Sequence, residues 1–190
     1  MRVAVMVSGR GSNLRALHEK APEQGYGIIG VVSNNPTAPA VDYARDQGLA
    51  VRIVDHRPFA TRAAFERALA AELDDLAPDV IALAGFLRVL GADFVGRYRG
   101  RLLNIHPSLL PAFPGLDTHR RALAAGARFH GATVHLVTDA VDGGPIIAQA
   151  GLAVNPEESP ATLAARVLTL EHALYPYVLG CWARGETSDR

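Results

Sequence analysis

Leu102-Leu103-Asn104-Ile105-His106-Pro107-Ser108-Leu109-Leu110-Pro111 places two polar side chains inside an apolar run and then stops the run with proline. In an extended strand alternate side chains share a face, so Asn104 and His106 point one way while Leu103 and Ile105 take the other. Pro107 supplies no N–H to a ladder and biases His106 toward extended backbone, which sets the pair at the strand's carboxyl end. In an open α/β sheet that end is the edge where ligands bind. An amide donor beside an imidazole is equipped to stabilise an oxyanion and to move a proton in the same reaction. The same two groups would also suit a buried strand end that hydrogen-bonds its own neighbours, so the surrounding chain has to decide.

Upstream, Val3-Ala4-Val5-Met6-Val7 is the continuous apolar run of a buried parallel strand, followed by Ser8-Gly9-Arg10-Gly11-Ser12-Asn13 and a helix opening at Leu14. Strand, glycine loop and helix make an anion cradle. Gly9 and Gly11 let backbone approach a ligand, and Ser12 and Asn13 are placed to cap the helix or to offer donors to a phosphate. The loop lacks the Gly-Lys-Ser/Thr ending of a P-loop, and Leu14 stands where a dinucleotide fingerprint needs its third glycine. The next strand, Gly27 to Ser33, ends in Asn34-Asn35 rather than the acid that holds an NAD ribose. A phosphate monoester is the expected ligand.

Strands and helices then alternate: a helix over 39–48, a strand over Val51-Arg52-Ile53-Val54, a helix over 60–76 and a strand from Val80 to Ala84. Arg62 falls in a first helical turn, where the dipole gives a cation nothing, so a carboxylate outside that helix is a conceivable partner. Gly85-Phe86-Leu87-Arg88-Val89-Leu90 stays apolar past its glycine, as a pocket wall or core would. Beyond the Asn104/His106 strand, a rigid Pro111–Gly115 loop leads to a helix of roughly 117–126 that Asp117 or Thr118 is placed to cap. Thr133-Val134-His135-Leu136-Val137 alternates and reads as a half-buried edge or antiparallel strand. Thr138-Asp139-Ala140-Val141-Asp142-Gly143-Gly144 is a turn whose glycines let Asp142 fold back over a site. A last strand around Leu152-Ala153-Val154 and a helix from about Ser159 to Cys181 follow, then a polar tail.

With 190 residues, 49% of them hydrophobic, the chain can bury a sizeable core, and one domain over 1–185 is expected, with halves of about 1–100 and 101–185 and a frayed tail at 186–190. Nineteen basic residues balance nineteen acidic ones, so composition offers no general attraction to nucleic acid or to a membrane surface. The single Cys181 forms no internal disulfide, and the first strand begins at Arg2 with no room for a leader; both fit a cytoplasmic protein. Seven histidines show no metal-ligand spacing, and no serine sits in a nucleophile elbow.

The motifs Ser8–Leu14, Leu83-Ala84-Gly85-Phe86-Leu87-Arg88-Val89-Leu90, Leu103–Pro111 and Asp142-Gly143-Gly144 together resemble the folate-dependent formyltransferases. Asn-x-His-Pro-Ser-Leu-Leu-Pro marks the wider superfamily. The Gly11-Ser12-Asn13 loop and the short length resemble its phosphoribosylglycinamide formyltransferase branch, from Val3 to about Pro176. The resemblance implies a Rossmann-like α/β formyltransferase fold, with an N-terminal parallel βαβ half and a C-terminal mixed-sheet half. It implies formyl transfer from 10-formyltetrahydrofolate, as co-substrate, to the amine of glycinamide ribonucleotide in purine synthesis, with no metal. By the same analogy Asn104 holds the oxyanion, His106 shuttles the proton and Asp142 tunes His106. Gly11, Ser12 and Asn13 would bind phosphate, and Leu168, Thr169, Leu170 and Glu171 would lie on the ribose. Arg62 would face the folate's glutamate, while Leu87, Arg88, Val89 and Leu90 with Asn104 and Thr138, Asp139, Ala140, Val141 and Asp142 would enclose the rest. Its partners would be these small molecules, on a monomer or weak homodimer. A formyltetrahydrofolate hydrolase and a non-catalytic folate- or phosphate-binding module are the rival readings. Water needs no phosphate loop, and binding alone does not need His106 beside Asn104.

Overall fold

A computed structural model describes residues 1–155 and 157–186, so all of the expected frayed tail except Glu186 lies outside the described residues. In chain order the elements are β1 (Arg2–Val7), α1 (Ser12–Gln24), β2 (Gly27–Ser33), α2 (Pro39–Asp46), β3 (Val51–Ile53), α3 (Arg62–Leu76) and β4 (Val80–Leu83). There follow α4 (Ala92–Arg97), β5 (Leu102–His106), α5 (Thr118–Ala124), β6 (Phe129–Leu136), β7 (Ile146–Ala153) and α6 (Pro160–Ala183). The strands form one seven-stranded sheet in the order β3-β2-β1-β4-β5-β6-β7.

The sheet is mixed, parallel first and antiparallel after β5. β1 through β5 pair in parallel, as buried apolar runs joined by helices must. β6 then pairs antiparallel with β5, and β7 antiparallel with β6. One core, on the side of Val3, Val5, Val7, Leu103 and Ile105, packs Leu14 and Leu17 of α1 against Leu163, Val167, Tyr175 and Leu179 of α6. The opposite core joins Ala4, Met6, Ile81, Leu83 and Leu102 to Phe65, Leu69 and Leu73 of α3 and to Phe94 and Val95 of α4. Asn104 and His106 share the Leu102 face. That face is filled by α3 and α4 over the parallel strands.

Several local expectations are corrected. β6 is antiparallel as one of the two readings had it, but it lies inside the sheet and is buried along nearly its whole length. Its polar Thr133 and His135 face other protein groups rather than water. The final strand is not confined to residues 152–154: β7 runs from Ile146 to Ala153, with small residues meeting across the ladder where Gly151 pairs with Gly131 and Ala150 with Ala132. A Cβ on Gly131 would lie 2.0 Å from the Ala150 carbonyl oxygen. Neither Ser12 nor Asn13 caps α1. Gly11 occupies the N-cap with φ 78° and leaves both side chains inside the first turn. Asp117 likewise stands at the N-cap of α5 without capping it, in left-handed backbone, its carboxylate paired with Arg120.

Candidate active site

β5 brings Asn104 and His106 to the sheet's carboxyl edge, and the antiparallel register sets His135 of β6 directly opposite Asn104 and Thr133 opposite His106. His135 Nδ1 lies 3.0 Å from the Leu136 carbonyl, which only accepts, so Nδ1 carries the hydrogen. Nε2 is then bare and accepts from Asn104 Nδ2 at 3.1 Å. Burial holds His135 below the ordinary imidazole range, opposed by the Leu136 carbonyl and Asp142, which keeps the neutral ring this arrangement needs. One amide hydrogen of Asn104 is thereby fixed in direction, and the other is directed by it.

His106 is buried, with Nε2 3.0 Å from the Phe113 carbonyl and Nδ1 3.4 Å from Asp142 Oδ2. Both ring nitrogens face oxygen acceptors. Asp142 arrives from the turn between β6 and β7 with φ 52°, a left-handed conformation that Asp tolerates better than most residues. Its Oδ2 accepts the Gly115 N–H at 2.8 Å, and its Oδ1 lies 3.7 Å from His135 Nε2. The fold-back depends on the glycines after it. A Cβ on Gly144 would sit 1.8 Å from the Leu136 carbonyl oxygen, and one on Gly143 would sit 2.8 Å from Ala140 Cβ. Thr133 fastens the turn that follows His106: its hydroxyl donates to the Ser108 carbonyl at 2.7 Å and accepts from the Leu110 N–H at 3.0 Å. Gln149 Nε2 reaches both Thr133 Oγ1, at 2.9 Å, and the Leu110 carbonyl, at 2.8 Å.

Across the sheet edge, Gly11 turns the chain into α1, and Asn13 Nδ2 donates to Glu171 Oε2 of α6 at 2.7 Å. Both residues are buried. Burial pushes the Glu171 carboxyl above the ordinary range, and the Asn13 amide opposes it. Asn13 Oδ1 has no hydrogen-bond partner among the described residues. Of the residues expected beside Glu171, Leu168 lies one turn before it. Thr169 is exposed, bonds its hydroxyl to its own helix at the Ala165 carbonyl, and sits about 200° round the helix from Glu171.

The Gly85–Leu90 segment leaves β4 as a loop with Leu87 and Val89 exposed, 74% and 62%, and Arg88 in solvent between them. Arg62 stands at its far end. The partner of Arg62 is not a carboxylate outside the helix but Glu66 one turn on, with Nε 3.7 Å from Oε1. Glu66 Oε1 also accepts the Gly91 N–H at 2.7 Å. Thr138, Asp139 and Ala140 border a cleft of about 420 Å³ with Val95, Arg99 and Val137, and Val141 is exposed beside Asp142. Among the described residues no three His, Cys, Asp or Glu side chains are grouped as metal ligands. His135, Thr133 and Gln149 were not singled out from sequence; the available signal was that Thr133 and His135 alternate in the strand beyond the Asn104/His106 strand.

The formyl transferase family model matches residues 1–179. Phosphoribosylglycinamide formyltransferase of Escherichia coli (strain K12) is 46% identical over 187 residues, covering 97% of this chain and 88% of that protein. The trifunctional purine biosynthetic protein adenosine-3 of Homo sapiens is 40% identical over 97% of this chain, which corresponds to 18% of that much longer protein. Among solved structures, the phosphoribosylglycinamide formyltransferase of Coxiella burnetii superposes with a TM-score of 0.94 at 44% identity, over 100% of this chain and 90% of that one. Glycinamide ribonucleotide transformylase 1 of Symbiobacterium toebii gives 0.96 at 37% identity, over 100% and 91%. Fold, near-complete coverage and identity agree, and the chain belongs to the formyl transferase family, in its phosphoribosylglycinamide formyltransferase branch.

Proposed function

We propose that this enzyme moves the formyl group of 10-formyltetrahydrofolate directly to the amine of glycinamide ribonucleotide, using Asn104, His106 and Asp142. The observation that carries this is the convergence of an oriented amide, an imidazole and a carboxylate at the carboxyl end of β5. The incoming amine nitrogen attacks the formyl carbon, and the carbonyl electron pair moves onto oxygen. The free N–H of Asn104, oriented by the bond of the other amide hydrogen to His135, donates to that oxyanion. The C–N10 bond then breaks. N10 takes a proton from His106, and the proton shed by the amine restores it, with Asp142 balancing the charge in between. For His106 Nε2 to reach substrate, its bond to the Phe113 carbonyl must be exchanged.

Gly11 and Ser12 suit the phosphate, because a left-handed glycine and a helix N-terminus present backbone N–H groups to an anion. Asn13 and Glu171 suit the ribose, since Asn13 Oδ1 and the Glu171 carboxylate are acceptors for hydroxyls. Leu168, one turn before Glu171, suits the border of that region, whereas Thr169 points away from it. Arg62 suits the glutamate of the folate, and Leu87–Leu90 with Thr138–Asp142 suit its rings. Small molecules are the only partners this reading needs, in the cytoplasm and on a monomer or weak homodimer.

The test is release of tetrahydrofolate from 10-formyltetrahydrofolate, with and without glycinamide ribonucleotide, for the wild type and Asn104→Ala. Release that requires the ribonucleotide and falls about 10²–10³-fold in kcat in the variant is expected. Ribonucleotide-independent release would make the protein a hydrolase, binding without release would make it a binding module, and an undiminished kcat would remove Asn104 from the chemistry.

A further inference from the structure

Ser8, between β1 and the glycine loop, is buried and has no part in the chemistry above. Its N–H donates to the Gly85 carbonyl at 3.1 Å, its hydroxyl accepts the Leu87 N–H at 2.9 Å, and the same hydroxyl donates to Asn34 Oδ1 at 2.6 Å. Asn34, at the end of β2, is buried as well, and its neighbour Asn35 donates through Nδ2 to the Ser8 carbonyl at 3.4 Å. One residue thus ties three segments together: the phosphate-loop entrance, the end of β2 and the Gly85–Leu90 loop. The glycine loop is held separately, through the Ala40 N–H on the Gly9 carbonyl at 3.1 Å.

Phe86 is buried in the core with α3 and α4, and Leu90 packs against the same core, so Leu87, Arg88 and Val89 between them are the part of the Gly85–Leu90 loop with few other means of holding its place. It pivots at Gly85, with φ 77°, and exposes Leu87 and Val89 instead of packing them. Its far end is fastened at Gly91 by Glu66. Between Phe86 and Leu90, the hydrogen bond from the Leu87 N–H to Ser8 is the tie that joins this exposed stretch to the phosphate loop.

We propose that Ser8 is a positioning residue that couples the two substrate sites. Ordering of the Ser8–Asn13 loop by a phosphate fixes Ser8, Ser8 fixes Leu87, and the folate then meets a loop already in place. This rests on the assignment of phosphate to Gly11 and Ser12 and of folate to Leu87–Leu90 given above. Coupling of this kind is reciprocal, so each ligand raises the affinity for the other by one factor.

Tetrahydrofolate carries no formyl group, so its binding can be measured by calorimetry with the ribonucleotide present and no turnover. The wild type should bind tetrahydrofolate about 5-fold or more tightly when saturated with glycinamide ribonucleotide. In Ser8→Ala the ratio should fall toward one, and the reciprocal ratio should fall with it. A ratio of one in the wild type, or an unchanged ratio in the variant, overturns the proposal. Amide exchange on the wild type tests it without any substitution: the ribonucleotide alone should raise protection both at 9–13 and at Leu87–Leu90. Protection confined to 9–13 overturns the coupling. Protection at neither segment instead overturns the phosphate assignment beneath it.

Discussion

Replacing Gly11 with alanine adds one methyl group at the point where the phosphate loop turns into α1, and the structure sets its cost in two parts. The backbone there has φ 78°, a left-handed conformation that costs a residue with a Cβ about 1–2 kcal/mol. The new Cβ would also stand 2.6 Å from Ala40 Cβ and 2.9 Å from Ala40 Cα. Ala40 is fully buried in α2, and a helix backbone atom cannot rotate away, so the helix must shift; overpacking of this kind costs about 1–3 kcal/mol more. For a chain of this length each kcal/mol lowers Tm by roughly 2–4 °C, which places Gly11→Ala about 4–20 °C below wild type. Gly25 separates the two parts, because it has φ 77° and no atom within 4 Å of where a Cβ would stand. Gly25→Ala should lose only the backbone share, about 2–8 °C. Adding Ala40→Gly to Gly11→Ala removes the nearer contact and should recover part of the difference, a coupling absent from the pair with Gly25→Ala. The assay is thermal unfolding of all the variants at one pH, with the KM for glycinamide ribonucleotide measured beside it. Equal losses at Gly11 and Gly25, or no recovery with Ala40→Gly, would refute the steric reasoning. An unchanged KM in folded Gly11→Ala would refute the phosphate assignment.

Asp142→Asn keeps an oxygen for the Gly115 N–H and tolerates the left-handed backbone, while removing the charge 3.4 Å from His106 Nδ1. Its kcat should fall about 10²-fold with KM for both substrates nearly unchanged, and steady-state kinetics showing a change in KM alone would return Asp142 to a turn-forming role. His130 gives a pH dependence. Burial, joined by the nearby His119 and His106, holds it down to about 4, against 6.5 for the free side chain. Between those values the unfolded chain binds the proton that the folded chain refuses, so stability is full above about pH 6.5 and is lost as pH falls toward 4. His130→Gln should flatten this acid limb in melting curves from about pH 7 to about pH 4.5; parallel wild-type and variant curves would show that His130 does not set it.

The parallel half was legible because strands covered on both faces must be apolar throughout, and Val3–Val7 and Val80–Leu83 have no other reading. Asn104 and His106 were legible as a pair for the opposite reason: they interrupt such a run at its carboxyl end. β6 misled because a strand face turned toward a polar site alternates in the same way as one turned toward water. Thr133 and His135 supplied the alternation, and both are buried. The role of His135 lies in its register with Asn104, thirty-one residues away, which no local spacing records. Asn13 reads from sequence as a cap or a phosphate donor because both roles are local to its loop, whereas its partner Glu171 is 158 positions distant. The Arg62–Glu66 pair was within reach of sequence alone, since residues four apart on a helix are neighbours.

The ladder between β6 and β7 slips by one residue between Val134 and His135, so that Val134 faces Ala148 and His135 faces Ile146, with Ile147 left over. A strand has only two faces, and the count of residues decides which one each side chain takes. The site therefore has a parity. Inserting one residue before His135 would exchange it with Val134, putting a methyl group where Asn104 needs an acceptor and an imidazole into the apolar layer under α6. Inserting two would restore the face but displace the partner. Among natural variants of this chain, changes in length should accordingly collect at the outer connections, such as the one between β7 and α6, and should be scarce within β5 and β6, where even a conservative sequence out of step would leave Asn104 without its orienting neighbour.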